Sequence, residues 1–142
     1  MNEPFYYNTT VQWKSDRIGE IREPTLPTIA VATPPEFPKG VPNIWSPEHL
    51  YVAAANVCLM TTFLAIAENS NLQFESYSAD AVGKLEKLEG KLQITEIVIS
   101  PKIKLLNLAD LEKAKKIIEK SEANCLISNS MKTKVLLNPE IN

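Results

Sequence analysis

Three side chains in this sequence have the chemistry of a nucleophile or a soft metal ligand: Cys58, Cys125 and His49, the one histidine of 142 residues. A cysteine attacks only as its thiolate, and an unperturbed thiol titrates near a pH of about 8.5. The two cysteines stand 67 positions apart, which fits neither a thioredoxin-type pair nor a zinc pattern. One histidine and two cysteines do not close a tetrahedral zinc site without a carboxylate or a second chain, so no metal is expected. Two cysteines are also too few for a disulfide scaffold. They read either as reactive thiols or as small apolar core residues.

The elements that must hold these residues follow from composition and pattern. Hydrophobic residues make up 44% and charged residues 23%, which is globular, and the chain is long enough for one domain over residues 1–142. Fifteen basic against seventeen acidic residues give a net charge of −2, without the positive field that nucleic acid requires. Four separated glycines, Gly19, Gly40, Gly83 and Gly90, write no phosphate-binding loop, and no cofactor is expected. The first ten residues lack a basic and an apolar leader region. Leu50 to Ala67 carries no charge over 18 residues, near the lower limit for a membrane span. Asn56, Thr61, Thr62 and the flanking acids Glu48 and Glu68 argue against one. The expectation is a soluble cytoplasmic protein with no membrane partner. A helix apolar nearly all round is one covered on all sides, and in so small a chain a second subunit is expected to supply part of the cover.

Residues 4–33 read as strands: Phe5, Tyr7, Thr9, Val11 and Trp13 alternate with mostly polar neighbours, Lys14 to Gly19 reads as a turn, and Thr28 to Thr33 is β-branched. Five prolines between Pro34 and Pro47 make the next stretch an ordered loop. Ser46 fits the N-cap of a long helix, Pro47 its first position, Glu48 its positive dipole end, and Trp45 with Leu50 a hydrophobic staple. That helix is expected to reach Glu68. Two strands follow, joined at Glu89-Gly90. Asn107 is expected to cap an amphipathic helix with Asp110 in the capping-box position, Leu111, Ala114, Ile117 and Ile118 on its apolar face, and Glu112 paired with Lys116. Cys125 to Ser130 reads as a short turn and Lys132 to Leu137 as a last strand. The order predicts α+β with antiparallel sheets. His49 reads as a first-turn helix residue, Trp13 and Trp45 as packing residues, and Tyr51 and Phe63 as core or dimer contacts.

The segment Ser46 to Cys58 resembles the pattern (Ser/Thr/Asn)-Pro-Glu-x-Leu-x-x-Ala-x-x-x-x-Cys that opens the central helix of the OsmC/Ohr family, the osmotically induced and organic-hydroperoxide-resistance proteins. Cys125 to Ser128 resembles that family's Cys-x-(Val/Ile)-Ser segment. Trp13 to Gly19 is similar to its first hairpin, with an arginine two positions before a glycine, and Tyr77 to Ile99 to its long second hairpin. The likeness covers about residues 10–138. It implies an OsmC-like fold with a long buried central helix, an intertwined homodimer, and a thiol peroxidase of oxidative stress that reduces organic hydroperoxides. Cys58 would be the peroxidatic thiol and Cys125 the resolving thiol, reduced again by an external dithiol of lipoyl or thioredoxin type. Arg17 and Glu48 would match the family's active-site arginine and glutamate, with Arg22 the near alternative to Arg17. Residues 23–45 match no family pattern and are expected to shape the substrate pocket.

Spacing adds three constraints. Cys58 stands twelve residues past its N-cap, beyond the reach of its own helix dipole, so a nearby cation, an arginine, is expected to hold the thiolate. Glu48 lies about 15 Å from Cys58 along one helix and His49 about 13.5 Å, so Glu48 is expected to reach Cys58 only from a partner chain. Leu111, Ile118 and Cys125 recur at seven-residue steps and should turn Cys125 toward the core that holds Cys58. The rivals are a small-molecule or lipid-binding module with incidental cysteines, and a redox sensor that forms the disulfide without turnover.

Overall fold

The computed structural model describes residues 3–142; the start of the N-terminal segment read above for a leader, Met1 and Asn2, lies outside them. The chain forms two compact units, Met1–Leu50 and Tyr51–Asn142.

The first unit is a meander of three antiparallel strands, β1 (Thr10–Ser15), β2 (Ile18–Glu23) and β3 (Leu26–Ala32), in that order across the sheet. The expected alternation of Phe5 and Tyr7 does not make a strand. Both side chains are exposed and pairing starts only at Thr10, opposite Arg22. Asp16 takes a positive φ of 47° in the β1–β2 turn, and the Trp13 indole N–H donates to its carbonyl at 3.0 Å. Trp13 is otherwise 74% exposed and Trp45 54%. Neither packs into a core of this chain, which corrects the expectation for both: β1 is exposed along its whole length, so its sheet has no buried layer there.

The proline loop after β3 holds itself by the donors that remain. Ala32 N–H bonds Trp45 C=O at 2.9 Å, Val41 N–H bonds Thr33 C=O at 2.9 Å, and Gly40 N–H bonds Phe37 C=O at 2.9 Å. The loop delivers Ser46 to the start of α1 (Pro47–Asn69). Ser46 is fully buried; its Oγ accepts the His49 N–H at 3.1 Å, and His49 Nδ1 accepts the Ser46 N–H at 3.3 Å. This is a capping box with histidine in the place usually taken by glutamate. His49 is thus a first-turn helix residue, as its position implied.

In the second unit, β4 (Phe74–Leu88) and β5 (Lys91–Leu105) form one long antiparallel hairpin. Glu89 at φ 51° and Gly90 at φ 80° give the two successive positive φ values of a type I′ turn, which matches the right-handed twist of the strands it joins. Asn107 does not cap the amphipathic helix directly. Its side chain accepts the Ala109 N–H at 3.0 Å and caps a 3-10 turn, Leu108–Asp110, from which α2 (Leu111–Ala123) continues. Glu112 pairs with Lys115 at 3.4 Å rather than with Lys116. After α2 come α3 (Leu126–Asn129), β6 (Lys134–Leu137) and β7 (Glu140–Ile141). Both last strands lie parallel to β5. The sheet is therefore mixed, because the connection through α2 and α3 is long enough to bring the chain back in the direction of β5.

The core of this unit joins α1, the hairpin and α2 through Leu59, Phe63, Ile97, Ile99, Ile103 and Ile118. The Phe63 ring lies 5.1 Å from that of Tyr77, stacked, and 5.2 Å from that of Phe74. By length and composition α1 is apolar enough to cross a membrane. It buries Ala55, Cys58, Leu59, Phe63 and Ala67, one face at helical spacing. Val57 (54% exposed) and Leu64 (40%) are left open on other faces.

Candidate thiol site

Cys58 is held in the fourth turn of α1 and is buried. Thr62, one helical turn on, places its Oγ1 3.9 Å from that sulfur. Cys125 is fully buried and forms the N-cap of α3. Its N–H bonds Glu122 C=O at 3.1 Å and its C=O accepts the Asn129 N–H at 3.0 Å. The seven-residue pattern of α2 ends as expected: Ile118 is fully buried and Cys125 follows it inward.

The two thiols, both free, lie near enough for each to shift the titration of the other. Burial pushes the Cys58 thiol up, but hydrogen bonds from the Cys125 thiol, the Ile127 N–H, the Thr62 hydroxyl and the Leu126 N–H outweigh it, and its pKa falls below the ordinary thiol value. Cys125 goes the other way. Burial raises it, and donating to Cys58 raises it further, against smaller opposing contacts from Ser128. The pair is polarised, with Cys58 the better anion and Cys125 the proton carrier. The donors that act on Cys58 include backbone N–H groups of the first turn of α3. Backbone donors have no letter in a sequence, so the expectation of a cation beside the thiolate was drawn without them.

A second group of polar side chains gathers around Glu122. Glu122 on α2, Ser128 on α3 and Tyr77 on β4 each bury an oxygen that has no hydrogen-bond partner: Glu122 Oε2, Ser128 Oγ and Tyr77 Oη. Ser128 Oγ faces both the Glu122 carboxyl and the Cys125 thiol, without closing to hydrogen-bond distance on either. Burial pushes the Glu122 carboxyl up, and burial with the nearby Glu122 charge pushes the Tyr77 phenol up to about 12. Elsewhere in the unit, the Tyr51 hydroxyl lies 2.6 Å from Thr133 Oγ1, which donates to Ile94 C=O at 2.7 Å, and Phe63 is core.

Arg17 and Glu48 belong to the first unit. Arg17 sits exposed in the β1–β2 turn, where its carbonyl accepts the Thr33 N–H at 3.3 Å. Arg22 is committed within its own strand: its Nη2 and Nε reach Glu20 Oε2 at 2.7 and 3.0 Å, which holds the Glu20 carboxyl below the usual range. Glu48 is half-buried in the first turn of α1. The proline loop frames an open hollow of about 460 Å³ in this unit, lined by Glu36, Asn43, Trp45 and His49 among others. The Trp45 and His49 rings meet edge to face with centroids 6.1 Å apart. Among the described residues no group of three or more His, Cys, Asp and Glu side chains is placed to hold a metal ion.

The OsmC-like family model matches residues 40–140, and the chain belongs to that family. It is 28% identical to an OsmC-like protein of unknown function from Vibrio cholerae, whose structure superposes with a TM-score of 0.87 over 98% of this chain and 100% of that one. It is 26% identical over 140 residues, 95% of this chain and 92% of the relative, to the uncharacterized protein YmaD of Bacillus subtilis. The fold is shared with an organic hydroperoxide resistance protein OsmC from Legionella pneumophila at 20% identity, TM-score 0.76, over 98% and 99% of the two chains. The OsmC-like fold expected from the motif is thus the fold found.

Proposed function

We propose that this protein is a thiol peroxidase that reduces organic hydroperoxides. The observation that carries the reading is that Cys58 and Cys125 are both buried and shift one another's titration in opposite directions. The Cys58 thiolate attacks the peroxide oxygen, the O–O bond breaks, and the alcohol leaves as Cys58 becomes a sulfenic acid. Cys125 then attacks the Cys58 sulfur, water leaves, and a disulfide forms. An external dithiol of lipoyl or thioredoxin type reduces the bridge by exchange. Two thiols this near one another need little motion to reach the Cα separation of about 7 Å or less that a bridge demands. The apolar walls favour an alkyl hydroperoxide over hydrogen peroxide.

Arg17 and Glu48 complete this reading, Glu48 orienting Arg17 beside the thiolate of the other chain in a homodimer. Arg17 is preferred to Arg22 because Glu20 already occupies the Arg22 guanidinium. The open faces at Val57, Leu64, Val11 and Trp13 support a second chain as the cover, with α1 helices packed antiparallel.

The test treats reduced protein with one equivalent of cumene hydroperoxide and counts free thiols. Loss of both with an intramolecular Cys58–Cys125 bridge in the mass spectrum is expected, followed by steady turnover with a dithiol. Cys58→Ser is expected to abolish turnover, and Cys125→Ser to leave a sulfenic acid that dimedone traps. Thiols untouched by the peroxide would overturn the reading in favour of a binding module; a bridge without turnover would make the protein a sensor.

A further inference from the structure

The buried oxygens beside Cys125 have no part in the cycle above, yet an unpartnered buried polar atom costs on the order of 1–3 kcal/mol. Two such atoms flanking one buried thiol, Glu122 Oε2 and Ser128 Oγ, call for a reason. Glu122 Oε2 and Ser128 Oγ stand three residues to either side of Cys125, on α2 and α3, and Tyr77 Oη on β4 lies near the Glu122 carboxyl. Ser128 is in the middle, a hydroxyl that faces a carboxyl on one side and the resolving sulfur on the other.

We propose that Glu122 takes the proton of Cys125, passed through the Ser128 hydroxyl, as Cys125 closes the disulfide on Cys58. The inference rests on the peroxidase reading for its natural substrate. In the step, the Cys125 S–H bond breaks and its proton moves to Ser128 Oγ while the Ser128 proton moves to a Glu122 oxygen. The freed Cys125 electron pair forms the bond to Cys58 Sγ. The Cys58 S–O bond breaks, and the departing hydroxide takes a proton from Glu122 or solvent and leaves as water. Cys125 is oxidised and the Cys58 sulfenic sulfur reduced.

The need for a base is set by the same geometry. Cys125 must lose its proton to attack the Cys58 sulfur, and a fully buried thiol resists ionisation on its own. The groups that face Glu122 are the Ser128 hydroxyl from α3 and the Tyr77 phenol from β4. Neither is a cation that would weaken it as a base. Its burial makes the carboxylate more basic than an exposed one, which suits proton transfer near neutral pH.

The closure rate is measured in two ways across acid to alkaline pH. One follows bridge formation after cumene hydroperoxide. The other loads Cys58 with thionitrobenzoate and follows its displacement by Cys125, which needs no peroxide and so separates this inference from the peroxidase reading. Glu122→Gln is expected to slow closure about a hundredfold at neutral pH in both assays, with the deficit shrinking as alkali ionises Cys125 directly. Ser128→Ala is expected to do the same, while sulfenic acid formation in a Cys125→Ser background stays unchanged by either substitution. Closure that is unaffected, or slowed equally at every pH as a packing defect would slow it, overturns the proposal.

Discussion

At the residue scale the chemistry turns on how differently one fold treats two identical side chains. The Cys125 thiol holds the Cys58 pKa down and is itself pushed up by Cys58, so one proximity lowers one thiol and raises the other. Reactivity follows the thiolate fraction, which climbs as pH rises through the pKa; a lowered pKa moves that climb to lower pH. Iodoacetamide at neutral pH is therefore expected to modify Cys58 at least tenfold faster than Cys125, with the Cys58 rate reaching half its maximum at a pH below the ordinary thiol value of about 8.5, as peptide mass spectrometry at a series of pH values would show. Equal rates would contradict the polarised pair. The sequence made both cysteines visible, because a Pro-Glu-x-Leu helix start lies twelve residues before Cys58 and an amphipathic stripe aims Cys125 inward. It hid what surrounds them. Glu122 reads as one more acid in the last turn of a charged helix, and the N–H groups of Leu126 and Ile127 are common to any residue that could stand there.

At the element scale the site depends on α1 lying close against β4. Gly83 marks the approach: a Cβ there would come within 2.5 Å of Val52 Cγ2. Val52 is β-branched and held to one rotamer in a helix, so it does not swing aside. Gly83→Ala is expected to cost about 1–3 kcal/mol by overpacking. Val52→Ala in the same chain should restore part of that loss, and urea denaturation of the four members of the cycle measures the coupling. Additive losses would mean the helix does not press on the strand at this point. Such elements were legible where punctuation is strong: Ser46-Pro47 starts α1 and Glu89-Gly90 turns the hairpin where expected. Strand direction was less legible. Lys132 to Leu137 reads as a strand from its composition, and pairing begins at Lys134, but whether it runs with or against β5 is fixed by the path of α2 and α3, and two-residue β7 is too short to carry any periodicity.

At the scale of the whole molecule the question is which chain completes which site. Cys58 and Glu48 stand ten residues apart on α1, about 15 Å of helix rise, so one carboxylate does not serve the sulfur of its own helix. Antiparallel packing of two α1 helices through the open Val57 and Leu64 faces would set the Glu48 turn of each chain beside the Cys58 turn of the other. Two defective chains then carry complementary defects. A Cys58→Ser chain retains Glu48, and a Glu48→Gln chain retains Cys58. A hybrid of the two contains one site with both residues intact and one with neither. Unfolding and refolding the variants together yields a statistical half of hybrids, so about a quarter of the wild-type sites should return, against almost no activity when the variants are refolded apart. If Glu48 acted within its own chain, mixing would restore nothing, because every Cys58 would still sit with a glutamine. Leu64→Glu supplies the matching control: a charge on the open face of α1 should shift the protein toward monomer in sedimentation and remove peroxidase turnover while leaving the Cys58–Cys125 pair, which lies within one chain, able to oxidise to a disulfide with a small-molecule oxidant.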